Sequence, residues 1–138
     1  MNSQTLTVFT IGRVLMSIIF LISGIRKAMV YAGTVSSFTA LGIPLPELVV
    51  PLAIALEIGG GIALMLGWQT QIFAIALALF TIGSALIAHR FWAVEGPQFN
   101  GQLNNFLKNV AIAGGFMVLV AAERVRNGSM TTGAAARP

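Results

Sequence analysis

The sequence contains no cysteine. That excludes disulfides, thiol catalysis and iron–sulfur ligation by this chain. It contains one histidine, His89, which excludes bis-histidine haem ligation within a single subunit. Charge is scarce as well: 9% of residues are charged, where a soluble domain carries about 25%. Long-period repeats, metal motifs of strong spacing, a Gly-rich phosphate loop and a nucleophile elbow are all missing. No metal or haem is therefore expected, and any electrons passing here must be carried by a bound organic cofactor or a partner. Eight Lys and Arg against four acids give a net charge of +4. These cations are scattered between apolar runs and form no patch, so nucleic acid is not an expected partner.

What the chain does have is apolar length. Of its 138 residues, 57% are hydrophobic. Four runs of about 20 residues each match a hydrocarbon core of roughly 30 Å. They cover Val8–Val30, Glu47–Trp68, Gln71–Trp92 and Leu103–Ala122. The expected fold is all-α: an integral membrane four-helix bundle in one unit, too short for two soluble domains. The first run carries Arg13 near its start and Arg26–Lys27 near its end, with no small-residue cleavage site. It reads as a retained span rather than a signal peptide. Residues 1–7 are a short polar terminus, and residues 123–138 are expected to be a flexible tail. In the connection 31–46, Thr34–Leu41 suits one or two helical turns stopped by Gly42, Pro44 and Pro46. Phe38 and Leu41 would lay it on the membrane surface or fold it over the bundle as a lid. Residues 93–102 form a polar loop.

Polar residues inside these runs point to a site. Glu57 stands near the middle of the second run, where a charged side chain costs about 2.5–3.5 kcal/mol on insertion scales. Ala53, Glu57, Gly60 and Gly61 share one helical face, and small residues there let another backbone come close. Pro51 is expected in the first turn of that helix, where proline does least harm. Arg13, Ser17, Gly24 and Lys27 form a stripe on the first span. Either cation could snorkel to headgroups or turn inward to pair with Glu57. His89 ends the third span beside Phe91 and Trp92, an interfacial aromatic anchor. Asn105, Lys108 and Asn109 share a side at the start of the fourth, together with Ala111 and Gly115.

Four spans put both termini on one side; the cations are nearly balanced between the two faces, and the lean toward cytoplasmic termini is slight because Arg26, Lys27 and Arg90 near the span ends weigh against it. Glu57 then lies ten residues in from the opposite face, about 15 Å at 1.5 Å per residue. The expected pocket is floored by Glu57 and Arg13 and rimmed by Lys27, His89, Lys108, Asn105 and Asn109. Candidates for chemistry are Glu57, Lys108 and His89. Candidates for ligand binding are Arg13, Lys27, Asn105, Asn109 and Trp92.

Five motifs in order resemble the DoxX family of small bacterial four-span membrane proteins. They are Gly12–Arg13 with Ser23–Lys27 (GR, then SGxxK), Gly42–Pro44 (GxP), Glu57–Gly60 (ExGG), His89–Trp92 (HxFW), and Asn105–Asn109 (NFLKN) followed by Gly114–Gly115. The likeness covers about Gly12–Ala122. Gln71 departs from the pattern, since an arginine often follows the second span there. The resemblance implies an inner-membrane protein, and some relatives are membrane subunits of thiosulfate:quinone oxidoreductase. Others are linked to complexes that handle oxidative or thiol stress. Three functions are thus expected to compete. One is a quinone-binding redox subunit, with quinone as its cofactor and a partner protein or small sulfur reductant supplying electrons. The second is a non-catalytic assembly subunit. The third is a small-anion or metabolite permease, which would need to be a homo-oligomer.

Overall fold

The computed structural model describes residues 2–135, and their side chains as far as residue 128; Met1 and residues 136–138, with Arg137, lie outside the described residues. Five α-helices follow one another: α1 Ser3–Met29, α2 Tyr31–Ala40, α3 Pro46–Leu66, α4 Thr70–Ala88 and α5 Pro97–Ala135. A short 3-10 turn, Phe91–Ala93, joins α4 to α5. No strand occurs among the described residues. The expected all-α bundle with four spans and a short helix after the first is what the chain forms.

Local chemistry sets the helix ends. Asn2 caps α1 by accepting the Thr5 backbone N–H at 2.8 Å. The helix therefore starts within the polar terminus rather than at Val8. Gly42 stops α2 at φ +77°, where its missing Cβ removes the left-handed penalty. α3 ends in a Schellman motif: Gly67 at φ +78°, Trp68 N–H to Ala63 C=O at 2.8 Å, and Gly67 N–H to Leu64 C=O at 3.1 Å.

Pro51 does not fall where the sequence suggests. α3 begins at Pro46, so Pro51 sits in the second turn and leaves the Glu47 carbonyl without its helical donor. The Tyr31 hydroxyl of α2 donates to that carbonyl at 3.3 Å, tying the short helix to α3. At the other end of the chain, α5 does not stop near Ala122. It continues as helix through Ala135, so the segment from Glu123 begins as part of the span.

The bundle is built from two close pairs, α1 on α3 and α4 on α5, with α3 against α4 and little between α1 and α5. Phe20, Leu64, Ala74, Leu77, Phe116 and Leu119 form the core. The Phe20 and Phe116 rings, 5.5 Å apart, bridge α1 to α5. Gly24 sets the α1–α3 distance. A Cβ there would stand 2.7 Å from Ile58 Cγ1 and 3.1 Å from Glu57 Cβ. Gly24→Leu is expected to wedge the two helices apart and cost about 1–3 kcal/mol, the range for overpacking. The check is the thermal midpoint in detergent; an unchanged midpoint would mean that α1 and α3 are not held this closely.

Candidate functional site

Close approach at Gly24 brings Lys27, one helical turn further along α1, against the buried carboxylate of α3. The Lys27 ammonium donates to Glu57 Oε1 at 2.8 Å and Oε2 at 2.9 Å, and to Ser23 Oγ at 2.7 Å. Glu57 is 3% exposed and the Lys27 side chain 23%. All three ammonium protons are thereby used, and the pair carries no net charge. Ser23 accepts from Lys27, which leaves its own O–H to donate elsewhere.

This pair forms part of the wall of a cavity of about 440 Å³, within the usual range for ligand sites. Apolar side chains from every helix line it, among them Ile19, Phe20, Phe80 and Ile112. Phe38 of α2, with Leu41 and Ile43 just beyond it, forms part of the wall. The short helix packs against α3 and α1. His89 and Asn109 complete the lining. His89 Nδ1 lies 3.1 Å from Gln102 Oε1. An amide oxygen only accepts, so Nδ1 is the donor of this hydrogen bond.

The residues marked in the sequence separate into three groups. Glu57, Lys27, His89 and Asn109 meet at the cavity. Asn105 and Lys108 do not; both are exposed on the outer side of α5. The reason is helix rotation: the buried stripe of α5 follows Ala113, Phe116 and Leu119. Extended back up the helix it meets Asn109 and Phe106, and leaves Lys108 about 100° away. Trp92 is also exposed, packed on Phe91 and Phe106 at 5.0 and 5.8 Å between ring centroids.

Arg13 is the larger correction. It shares a stripe with Lys27 but lies fourteen residues away, about 21 Å along the axis at 1.5 Å per residue. Its guanidinium rests on Gly67 at the far end of α3, where an added Cβ would collide with it. It therefore does not floor the cavity. Near it are Glu123 and Arg126, which sequence reasoning assigned to the tail. Their signal was present: Glu123 continues the Phe116–Leu119 stripe, and Arg126 follows at i+3. Ser23 and Gln102 were also missed as polar partners. Ser23 stands in the SGxxK motif, one turn before Lys27.

The outward faces decide the class. Leu15, Ile18, Ile22, Leu52, Leu79 and Leu86 are exposed, and four helices are long and apolar enough to cross a bilayer. Apolar surface of this extent needs lipid as its solvent. This is an integral membrane protein of four spans. Its sequence matches the DoxX family over residues 8–90, and the chain belongs to that family. It is similar to two proteins of Escherichia coli K12. Inner membrane protein YphA is 37% identical over 109 residues, 79% of this chain and 78% of that protein. Inner membrane protein YqjF is 39% identical over 109 residues, with the same coverage. No solved structure matches the chain.

Proposed function

We propose that the cavity receives the head of a neutral, lipid-soluble carbonyl compound, a quinone, and that the protein is a membrane subunit of a redox assembly. The observation that carries this reading is the charge-neutral Lys27–Glu57–Ser23 cluster set in an apolar cavity. A small anion would need a free cation, and Lys27 is already committed to Glu57; this weighs against the permease reading. A carbonyl acceptor needs only hydrogen-bond donors, which Ser23 O–H and the Asn109 amide supply. Access from lipid has support too. The cavity shares Ile19, Ser23 and Lys27 with an outer groove along α1 that continues past Ile22 to Leu15.

A bound quinone supplies a two-electron, two-proton couple. The electrons would come from a partner protein or a small sulfur reductant. In this reading Lys27 Nζ holds a proton between Ser23 and Glu57, His89 lies on the same wall as a second group able to exchange protons, and Phe38 of α2 adds apolar surface for the ring. Because both curated relatives are called inner membrane proteins, this reading puts the chain in the bacterial inner membrane.

The test is native mass spectrometry with lipid extraction on gently purified protein. Quinone is expected with the wild type and with Lys108→Met, whose side chain lies outside the cavity, and not with Lys27→Met. Quinone-free wild type that instead brings along another polypeptide would favour a non-catalytic assembly subunit.

A further inference from the structure

A second polar cluster lies at the opposite end of the bundle and plays no part in the cavity. Arg13 of α1 rests on Gly67 and has Glu123 and Arg126 of α5 beside it, while Thr70 opens α4 three residues after Gly67. The ring of Phe9 sits under both guanidiniums, with 5.9 Å from its centroid to Arg13 and 5.6 Å to Arg126. Glu123 pairs with Arg126 through Oε1. Arg13 is 8% exposed, Thr70 2% and Glu123 4%.

Four buried atoms here have no hydrogen-bond partner: Arg13 Nε, Arg126 Nε, Thr70 Oγ1 and Glu123 Oε2. Buried polar atoms are nearly always satisfied, so three orphans on the Arg13–Glu123–Arg126 cluster and a fourth at the start of α4 point to a ligand. Its chemistry follows from theirs. Two guanidiniums share one carboxylate, which leaves one positive charge uncompensated. Water could fill the hydrogen bonds but not that charge. The two arginine N–H groups, with the threonine hydroxyl, suit an acceptor-rich anion, and guanidinium is matched to phosphate oxygens. The orphan Glu123 oxygen calls for a donor on the same ligand. The level in the membrane agrees: the turn carries exposed Trp68, a residue of the headgroup region.

We propose that this cluster is a binding site for a singly charged phosphate group bearing a hydrogen-bond donor. A phospholipid headgroup such as phosphatidylglycerol has this chemistry, and so does free dihydrogen phosphate. The phosphate oxygens face Arg13, Arg126 and Thr70, and the ligand's hydroxyl donates to Glu123 Oε2. Such a ligand would clamp α1 to the end of α5, two helices that otherwise touch little.

The full-length protein is compared with Arg126→Gln and Thr70→Val, their folding checked by helical circular dichroism. In mixed micelles the wild type should retain phosphatidylglycerol over phosphatidylcholine in native mass spectrometry. Arg126→Gln should lose about tenfold of that retention, the weight of one charge-assisted hydrogen bond, and Thr70→Val a smaller part. In a second arm, delipidated protein is melted in phosphate and in chloride at equal ionic strength. Stabilisation by phosphate that depends on Arg126, without selective lipid retention, assigns the same site to a soluble anion. If the wild type shows neither lipid preference nor a phosphate effect, the proposal fails. It fails equally if both effects survive in Arg126→Gln and Thr70→Val. Should Arg126→Gln not fold, Thr70→Val decides alone.

Discussion

Lys27→Met is expected to destabilise the protein by about 3–5 kcal/mol, the loss usual when one partner of a buried ion pair is removed. Glu57 would remain 3% exposed with no counter-charge, and it must then either stay charged in a poorly solvating place or take up a proton. Glu57→Met should cost less, because the orphaned Lys27 is 23% exposed and can reach toward water. Two apolar side chains of similar volume often replace a buried pair at no cost. The double variant Lys27→Met/Glu57→Met should therefore regain most of the stability lost in Lys27→Met. It should not regain quinone. Thermal midpoints in detergent, read beside ligand retention, separate the two roles. Recovery of both would show that the pair only holds α1 to α3. Recovery of neither would mean that Ser23 and the neighbouring backbone depend on the pair for more than charge balance.

Gly67→Ala should have the next largest effect. Gly67 sits at φ +78°, and a Cβ in the left-handed region costs roughly 1–2 kcal/mol. The new methyl would also displace the Arg13 guanidinium that lies on Gly67. Two further variants separate strain from collision. Gly67→Asn tolerates the left-handed backbone but keeps the Cβ, so it should recover only the strain. Arg13→Met combined with Gly67→Ala should cost less than the sum of the two single changes, because they meet at one place. Strict additivity would show that Arg13 moves aside freely, and that its seat on Gly67 does not position the cluster.

These predictions differ from those the bare sequence would support, and the difference has a geometric cause. Sequence reasoning placed both Arg13 and Lys27 on the stripe of α1 that can face Glu57. Only one could reach it, and the choice rests on axial level. Lys27 meets Glu57 because Gly24 lets the two helices touch at that height. Arg13 reaches α3 ten residues past Glu57, at Gly67. In the same way the Asn105–Asn109 motif was legible as a polar face, but its rotation was not. Phe116 and Leu119 occupy the interior, which turns Asn109 in and Lys108 out. Glu123 and Arg126 lay hidden because low apolar content past Ala122 suggested a tail, while the helix continued.

The four spans, the depth of Glu57 and the family are legible in the chain before it folds. Each of these is encoded locally, in the length of an apolar run, the position of a Gly or Pro stop, or the spacing of a motif. Tertiary structure alone decided which cation neutralises Glu57, which side of α5 faces inward, and that a second polar cluster exists at the other end. Those outcomes depend on helix rotation, on axial register and on how closely two backbones approach. Periodicity leaves the first two open, and the packing of Gly24, Phe20 and Phe116 fixes the approach.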